Sequence, residues 1–419
     1  MCRERDYYKP YCLNDIHQQP NVFASVCIQW RNLMLLRPSF WSRINMVHVN
    51  RVDRRFIACA RLSAERARPA SLELHVAAGV PGEDPNEEKA LADFLTSIAD
   101  RHLGSLSFTF YDLNKAQEDT LLNKYLSNWR PGTLKELVIE RSRFHFSHSF
   151  INPTDSPHFA DASVINLPHQ HLEVLWKPIT VLRLQGIFIN WRSQAYHRLV
   201  ELCLSNDHRQ LVNPPVIPDW QLVSILTSSP GLQILRFGII VEDTSSRTEP
   251  LVERITVPVQ LDHLRILDLD ILKYGREDGS SLRYILHMIS PGPHPLELLL
   301  PRSFLRDAVL QNRHEIHNFV LRSKVVQLGL GTSNPSLEWL LAVTPYLQTL
   351  VISSDFHQNF DSYSIPLRTI NKIYILRSRV TMELFCQWLT RFHVVGTATR
   401  VLGVRFLVGR TPHVWVQYQ

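Results

Sequence analysis

Five histidines gather in one part of the chain. His145 and His148 lie in RSRFHFSHSF, which starts at Arg141, and His158, His169 and His171 follow. Imidazoles so placed could hold zinc, but no cysteine pair accompanies them and no H-E-x-x-H element occurs. The alternation of Phe144 and Phe146 with His and Ser predicts a half-exposed strand or a surface loop instead. Asp268 and Asp270 stand two apart in LDLDIL and would point the same way on a strand, a spacing that suits a cation or a paired carboxylate acid and base. In a repeating sheet that face is simply the polar one. GLGTSN at Gly329 puts two glycines after a strand, yet it lacks the third Gly and the Lys-Ser/Thr of a phosphate loop, so a turn is expected. No G-x-S-x-G elbow is present. The expectation is a protein that is not an enzyme and uses neither metal nor cofactor.

Any such residues must be positioned by a scaffold, and composition bounds it. A chain of 419 residues with a hydrophobic share of 45% has enough apolar material for two or three domains, or for one that grows by repetition. The formal charge of +6 is spread along the chain without basic blocks, which argues against a nucleic-acid partner. Cys2, Cys12, Cys27, Cys59, Cys203 and Cys386 form no C-x-x-C pair and mostly sit in apolar segments, which suits a reducing compartment. No run of about 18 apolar residues could span a membrane, and the opening MCRERDYYKPYC has no apolar signal core. The expected address is cytoplasmic or nuclear, with no membrane partner.

Periodicity sets the architecture. Short alternating apolar runs recur from SLELHV at Ser71 to VLGVRFLV at Val401. Their middle residues are Leu72, Leu106, Leu137, Leu182, Leu202, Leu235, Leu267, Leu298, Leu328, Leu350, Ile373 and Val404, mostly about thirty residues apart. Between them lie segments of helical spacing closed by Pro or Gly. In WQLVSILTSSPGLQIL, Leu222, Ile225 and Leu226 share a helical face, Pro230 and Gly231 stop the helix, and a period-two pattern begins at Leu232. Each unit reads as helix, turn, strand. One unit cannot bury its strand alone, so neighbours must stack, with parallel strands on one side and helices on the other. A doubly wound domain would place a Gly-rich loop after its first strand, and none follows SLELHV. Residues 145–170 and 205–220, and the acidic GVPGEDPNEEKA from Gly79, are expected to be loops.

The stretch SVCIQWRNLMLLRPSFWSRI, from Ser25 to Ile44, has a different rhythm. Val26, Trp30, Leu33 and Met34 fall at i, i+4, i+7 and i+8, one apolar helical face. Pro38 ends the helix and biases Arg37 towards an extended conformation. Phe40 and Trp41 then follow, placed either to fold back on that helix or to meet another chain. So short a helix cannot supply its own core, and it could also serve as a cap on the first repeat.

Phrases such as PGLQILRF and TPYLQTLVI resemble the leucine-rich repeat, in a degenerate form that mostly lacks the Asn or Cys after the strand. The arrangement of Val26, Cys27, Trp30, Arg31, Leu33, Pro38, Phe40 and Trp41 resembles the second half of the F-box. The resemblance implies an α/β protein with a partial F-box-like helical segment over 1–50 and a leucine-rich-repeat-like solenoid over 51–419. It implies a substrate-recognition subunit of an SCF-type ubiquitin ligase, whose small adaptor subunit docks on Val26, Trp30, Leu33, Pro38, Phe40 and Trp41 while the repeats bind a target protein. The Leu-Pro-led first helix of the motif has no counterpart before Ser25, where Leu13, Ile16, Val22 and Phe23 are a remnant. Two expectations stay open on that point: a shortened version of a longer chain, or a non-enzymatic protein-binding repeat scaffold that has lost adaptor binding.

Overall fold

The computed structural model describes residues 25–48, 54–78, 85–111, 113–127, 129, 132–141, 149–153, 163–165, 167–206, 215–242, 258–269, 280–300, 306–330, 337–353, 370–376, 379–380 and 405–406. The chain divides into two compact units, Met1–His197 with Asp207–Asn213, and Arg198–Asn206 with Pro214–Gln419. The segment 25–48 belongs to the first of these.

In the first unit, helix α1 (Ile28–Leu36) and a 3₁₀ turn (Pro38–Phe40) lead into β1 (Arg43–His48). Then come α2 (Arg54–Arg66), β2 (Leu72–Ala78), α3 (Pro85–Ile98), β3 (Leu103–Phe110), α4 (Lys115–Leu126) and β4 (Glu136–Arg141). They are followed by β5 (Ser149–Pro153), β6 (Ser163–Ile165), α5 (His169–Trp176), β7 (Val181–Gln185) and β8 (Ile187–Ile189). Strands β1, β2, β3, β4 and β7 pair side by side in chain order, all parallel. Parallel neighbours need a crossover between them, and α2, α3, α4 and α5 fill those crossovers. The register aligns Ile44, Leu74, Leu106, Leu137 and Leu182 in one column and Met46, Val76, Phe108, Ile139 and Leu184 in the next. Every one of these side chains is buried, and each contributes about 1.5–3 kcal/mol relative to an exposed position. Gly104 is an extra residue in β3, where the register slips between Leu72 and Glu73.

One buried ion pair ties this unit together away from the apolar columns. Arg141 Nε donates to Glu118 Oε1 at 2.9 Å, its Nη2 donates to Glu118 Oε2, and Nη2 also donates to Ser149 Oγ at 2.8 Å. Helix α4, which carries Glu118, starts with a capping box in which Asn114 and Gln117 exchange side-chain and backbone bonds.

The second unit repeats the plan. Its elements are β9 (Glu201–Ser205), β10 (Val216–Pro218), α6 (Asp219–Thr227), β11 (Ile234–Phe237), β12 (Ile240–Glu242), β13 (Val259–Leu261) and β14 (Ile266–Leu269). These precede α7 (Ser280–Met288), β15 (Ile289–Pro291), β16 (Pro295–Leu300), α8 (Arg306–Leu321), β17 (Lys324–Leu330), α9 (Leu337–Val343), β18 (Thr349–Ser353) and β19 (Lys372–Leu376). Strands β9, β11, β14, β16, β17, β18 and β19 are parallel neighbours in chain order. Leu202, Leu235, Leu267, Leu298, Leu328, Leu350 and Ile373 stand in one row. Consecutive layers are also fastened at their helix ends. In the first unit Arg101, after α3, donates to the carbonyls of Ala64 and Ala70 at 2.8 and 3.2 Å. In the second, Arg322, after α8, donates to those of Leu286 and Ile289.

The α/β class and the parallel pairing of the repeating strands agree with the sequence reading, and several local expectations do not. Residues 145–170 contain β5 and β6, which pair with each other and, through β5, with β8 in a ribbon of their own. Within 205–220, β10 pairs with β12 and Asp219 opens α6. The acidic tail of GVPGEDPNEEKA opens α3, because Pro85 is tolerated at a first helical position and acidic residues suit a first turn. Val404 lies outside the described residues. Its neighbours Arg405 and Phe406 form β21, which pairs with β20 (Arg379–Val380) in a two-stranded ribbon instead of extending the row.

Candidate docking surface at the first helix

Helix α1 is fixed at both ends by its own sequence. Cys27 is extended, with φ −156° and ψ 171°, and its Sγ accepts the Trp30 backbone N–H at 3.5 Å as an N-cap. The helix therefore begins at Ile28, and Val26 lies before it. At the other end Arg37 is extended, with φ −116° and ψ 90°, as the residue before Pro38 is expected to be. The Met34 carbonyl is one of the last-turn oxygens that no helical N–H can satisfy. It accepts the Arg37 N–H at 3.4 Å and the Trp41 indole Nε1–H at 2.7 Å.

The six residues of the expected docking set separate into a front and a back. Val26, Trp30, Leu33 and Phe40 are 62%, 46%, 44% and 47% exposed, and Pro38 is half-buried. Trp41 is 1% exposed, packed under the Arg66 guanidinium of α2, whose Cζ stands 4.3 Å from the ring centroid. Trp41 therefore lies behind the exposed set and positions it through Met34. Of the two fates open to Phe40 and Trp41, Trp41 takes the fold-back and Phe40 stays in solvent. The helix also presents Ile28, Leu35 and Leu36 to solvent, residues that a single-face reading leaves out. For Leu35 and Leu36 the signal was the apolar run LMLL, which is too dense for one buried stripe. Only Met34 of α1 is buried.

The exposed set lies between Val26 and Phe40 and is apolar, the kind of surface that marks protein–protein contact sites. Leu13, Ile16, Val22 and Phe23, the remnant that precedes it, lie outside the described residues. Cys27 and Cys59 are exposed and Cys203 is half-buried, although the cysteines mostly sit in apolar segments of the sequence. For Cys27 the reason is its cap conformation, which turns the residue out of the helix. Cys2, Cys12 and Cys386 lie outside the described residues.

Among the described residues, the chemistry-bearing candidates are not brought together. His145, His148 and His158 lie outside the described residues. His169 begins α5, and His171 follows with an Nε2 that is buried without a hydrogen-bond partner. Asp268 sits on β14 in register with Arg236 of β11, and Asp270 lies outside the described residues. Gly329 is inside β17, and the rest of GLGTSN after Leu330 is not described. Among the described residues, no group of three or more His, Cys, Asp or Glu is placed to hold a metal ion, and no helix is long and apolar enough to cross a membrane. Burial raises the Glu118 carboxyl above the usual carboxylate range, with the Arg141 guanidinium opposing that shift. The Tyr196 phenol, whose OH donates to the Ile189 carbonyl at 2.9 Å, is likewise pushed up by burial. These perturbed groups lie inside the packing. No family model matches the chain, and no curated protein matches it.

Proposed function

We propose that the protein is a substrate-recognition subunit of an SCF-type ubiquitin ligase, working in the cytoplasm or nucleus and catalysing nothing itself. The exposed side of α1 and its following turn docks the small adaptor subunit. The two series of parallel strands, which we read as a leucine-rich-repeat-like solenoid, bind the target protein. One observation carries the reading: Val26, Trp30, Leu33 and Phe40 are apolar and solvent-facing, on and beside a helix whose end is pinned by a buried tryptophan. Aromatic anchors on a rigid support are the residues that dominate protein interfaces. Holding the target near a ubiquitin-carrying partner raises effective concentration, which needs no nucleophile on this chain.

The test is co-precipitation of the full chain with a purified SCF adaptor subunit, beside the Trp30→Ala/Phe40→Ala variant. Capture of the unaltered chain and loss with the variant support the proposal. Failure of the unaltered chain to bind defeats the ligase reading and leaves a repeat scaffold without adaptor binding.

A further inference from the structure

A trough of 370 Å³ lies on the first unit where β2, β3 and β4 begin. Its walls carry charges of both signs. Glu73 of β2 stands in register with Ser105 of β3, which stands in register with Glu136 of β4. Glu136 is already engaged, since Arg183 Nη1 donates to its Oε1 at 3.0 Å. The exposed Glu73 carboxylate and the exposed Lys135 ammonium have no hydrogen bond or ion pair among the described residues. Arg43 is the register neighbour of Glu73 on β1, and no salt bridge joins them among the described residues.

The Lys135 backbone is held firmly. Its N–H donates to the Gly104 carbonyl at 2.9 Å, and its own carbonyl accepts the Thr180 and Val181 N–H groups at 2.8 and 3.0 Å. Gly104 keeps the floor open, because a Cβ there would sit 2.6 Å from Ser71 Oγ. The hydroxyls of Ser105 and Thr133 also line the trough, and they can donate to or accept from a backbone laid across it.

The juxtaposition of an anion and a cation disfavours a polyanion such as nucleic acid, which offers one sign only. It complements a polypeptide carrying both signs. Glu73 and Lys135 are two strands apart, about 10 Å at the usual inter-strand spacing, and a chain in the polyproline II conformation, with three residues per turn, puts residues i and i+3 on the same side about 9 Å apart. We propose that this trough binds a segment of a partner protein in the polyproline II conformation in which a Lys or Arg and an Asp or Glu are separated by two residues, the basic side chain on Glu73 and the acidic one on Lys135. The inference deepens the target-binding reading of the repeats and rests on it, but its test uses no adaptor, so the two can fail separately.

The probes are three fluorescein-labelled dodecapeptides, Gly/Ser-flanked, with centres Lys-Ser-Ser-Glu, Lys-Ser-Ser-Lys and Glu-Ser-Ser-Glu, measured by anisotropy against the full chain at low salt. The unaltered protein prefers Lys-Ser-Ser-Glu, each correct pair being worth about a two- to fivefold change in affinity. Glu73→Lys turns the preference to Glu-Ser-Ser-Glu, and Lys135→Glu turns it to Lys-Ser-Ser-Lys. Thermal unfolding controls for folding, and Glu73→Gln and Lys135→Gln replace either variant that fails it, each then abolishing discrimination at its own end. No binding of any probe by the unaltered chain, or a preference that does not move with the variants, overturns the proposal.

Discussion

The indole N–H of Trp41 donates to the carbonyl oxygen of Met34 at 2.7 Å, so the turn after Pro38 is bonded to the end of the helix before it. Replacing Trp41 with Phe keeps most of the volume and removes that bond, which lowers stability by about 0.5–1.5 kcal/mol. Trp41→Ala also opens a cavity and lowers it by about 3–5 kcal/mol. Urea unfolding reads both. Hydrogen exchange reads the positional effect, with faster exchange at the amides of α1 in each variant.

Trp30→Ala and Phe40→Ala act on the other side of the same structure. Both side chains are about half exposed, so each substitution lowers stability by less than Trp41→Ala does. Adaptor capture falls in both. An equal loss of stability and capture would mean that these residues support the fold and contact nothing.

The Glu118–Arg141 pair makes a pH prediction. Burial raises the folded-state Glu118 pKa above its unfolded value, so in the window between the two the folded chain binds more protons. Stability from this group is present below the window and declines as pH rises through it. Urea midpoints taken upward from the ordinary carboxylate range show that decline, and Glu118→Gln flattens it. Arg141→Met strands the carboxylate in the interior and lowers stability by about 3–5 kcal/mol.

Gly292 is required by close approach. A Cβ there would overlap the Asp262 backbone, 2.5 Å from its Cα, and backbone cannot step aside as a side-chain tip can. Gly292→Ala lowers stability by about 1–3 kcal/mol. Gly231→Ala, where a Cβ meets nothing within 4 Å, is the control and leaves the midpoint almost unchanged.

The rows of strands were legible in sequence because the middle apolar residue of each run is the one that stacks. Leu235, Leu267, Leu298 and Leu328 are direct register partners. Leu72 stands two residues short of that stack: Leu74 is the partner of Leu106, and the extra residue Gly104 shifts the register beside Leu72. Periodicity over the whole chain does not mark such a local insertion. At the candidate surface the helix and its proline stop were readable, but its start was not, since Cys27 looks like a helical residue until its extended backbone is seen. Nor could sequence tell that Phe40 faces water and Trp41 the interior. Both are large and apolar, and only the acceptor left at the helix end distinguishes the residue that has an N–H to give it.

The arginine clamps bear on the order of events during synthesis. Arg101 belongs to the layer after the carbonyls of Ala64 and Ala70 that it holds, and Arg322 follows Leu286 and Ile289 in the same way. A chain emerging from the ribosome amino end first therefore cannot close one layer until the next has been translated. Maturation trails elongation by a single layer, and a stalled ribosome would hold out a nascent chain whose newest layer is still unlatched.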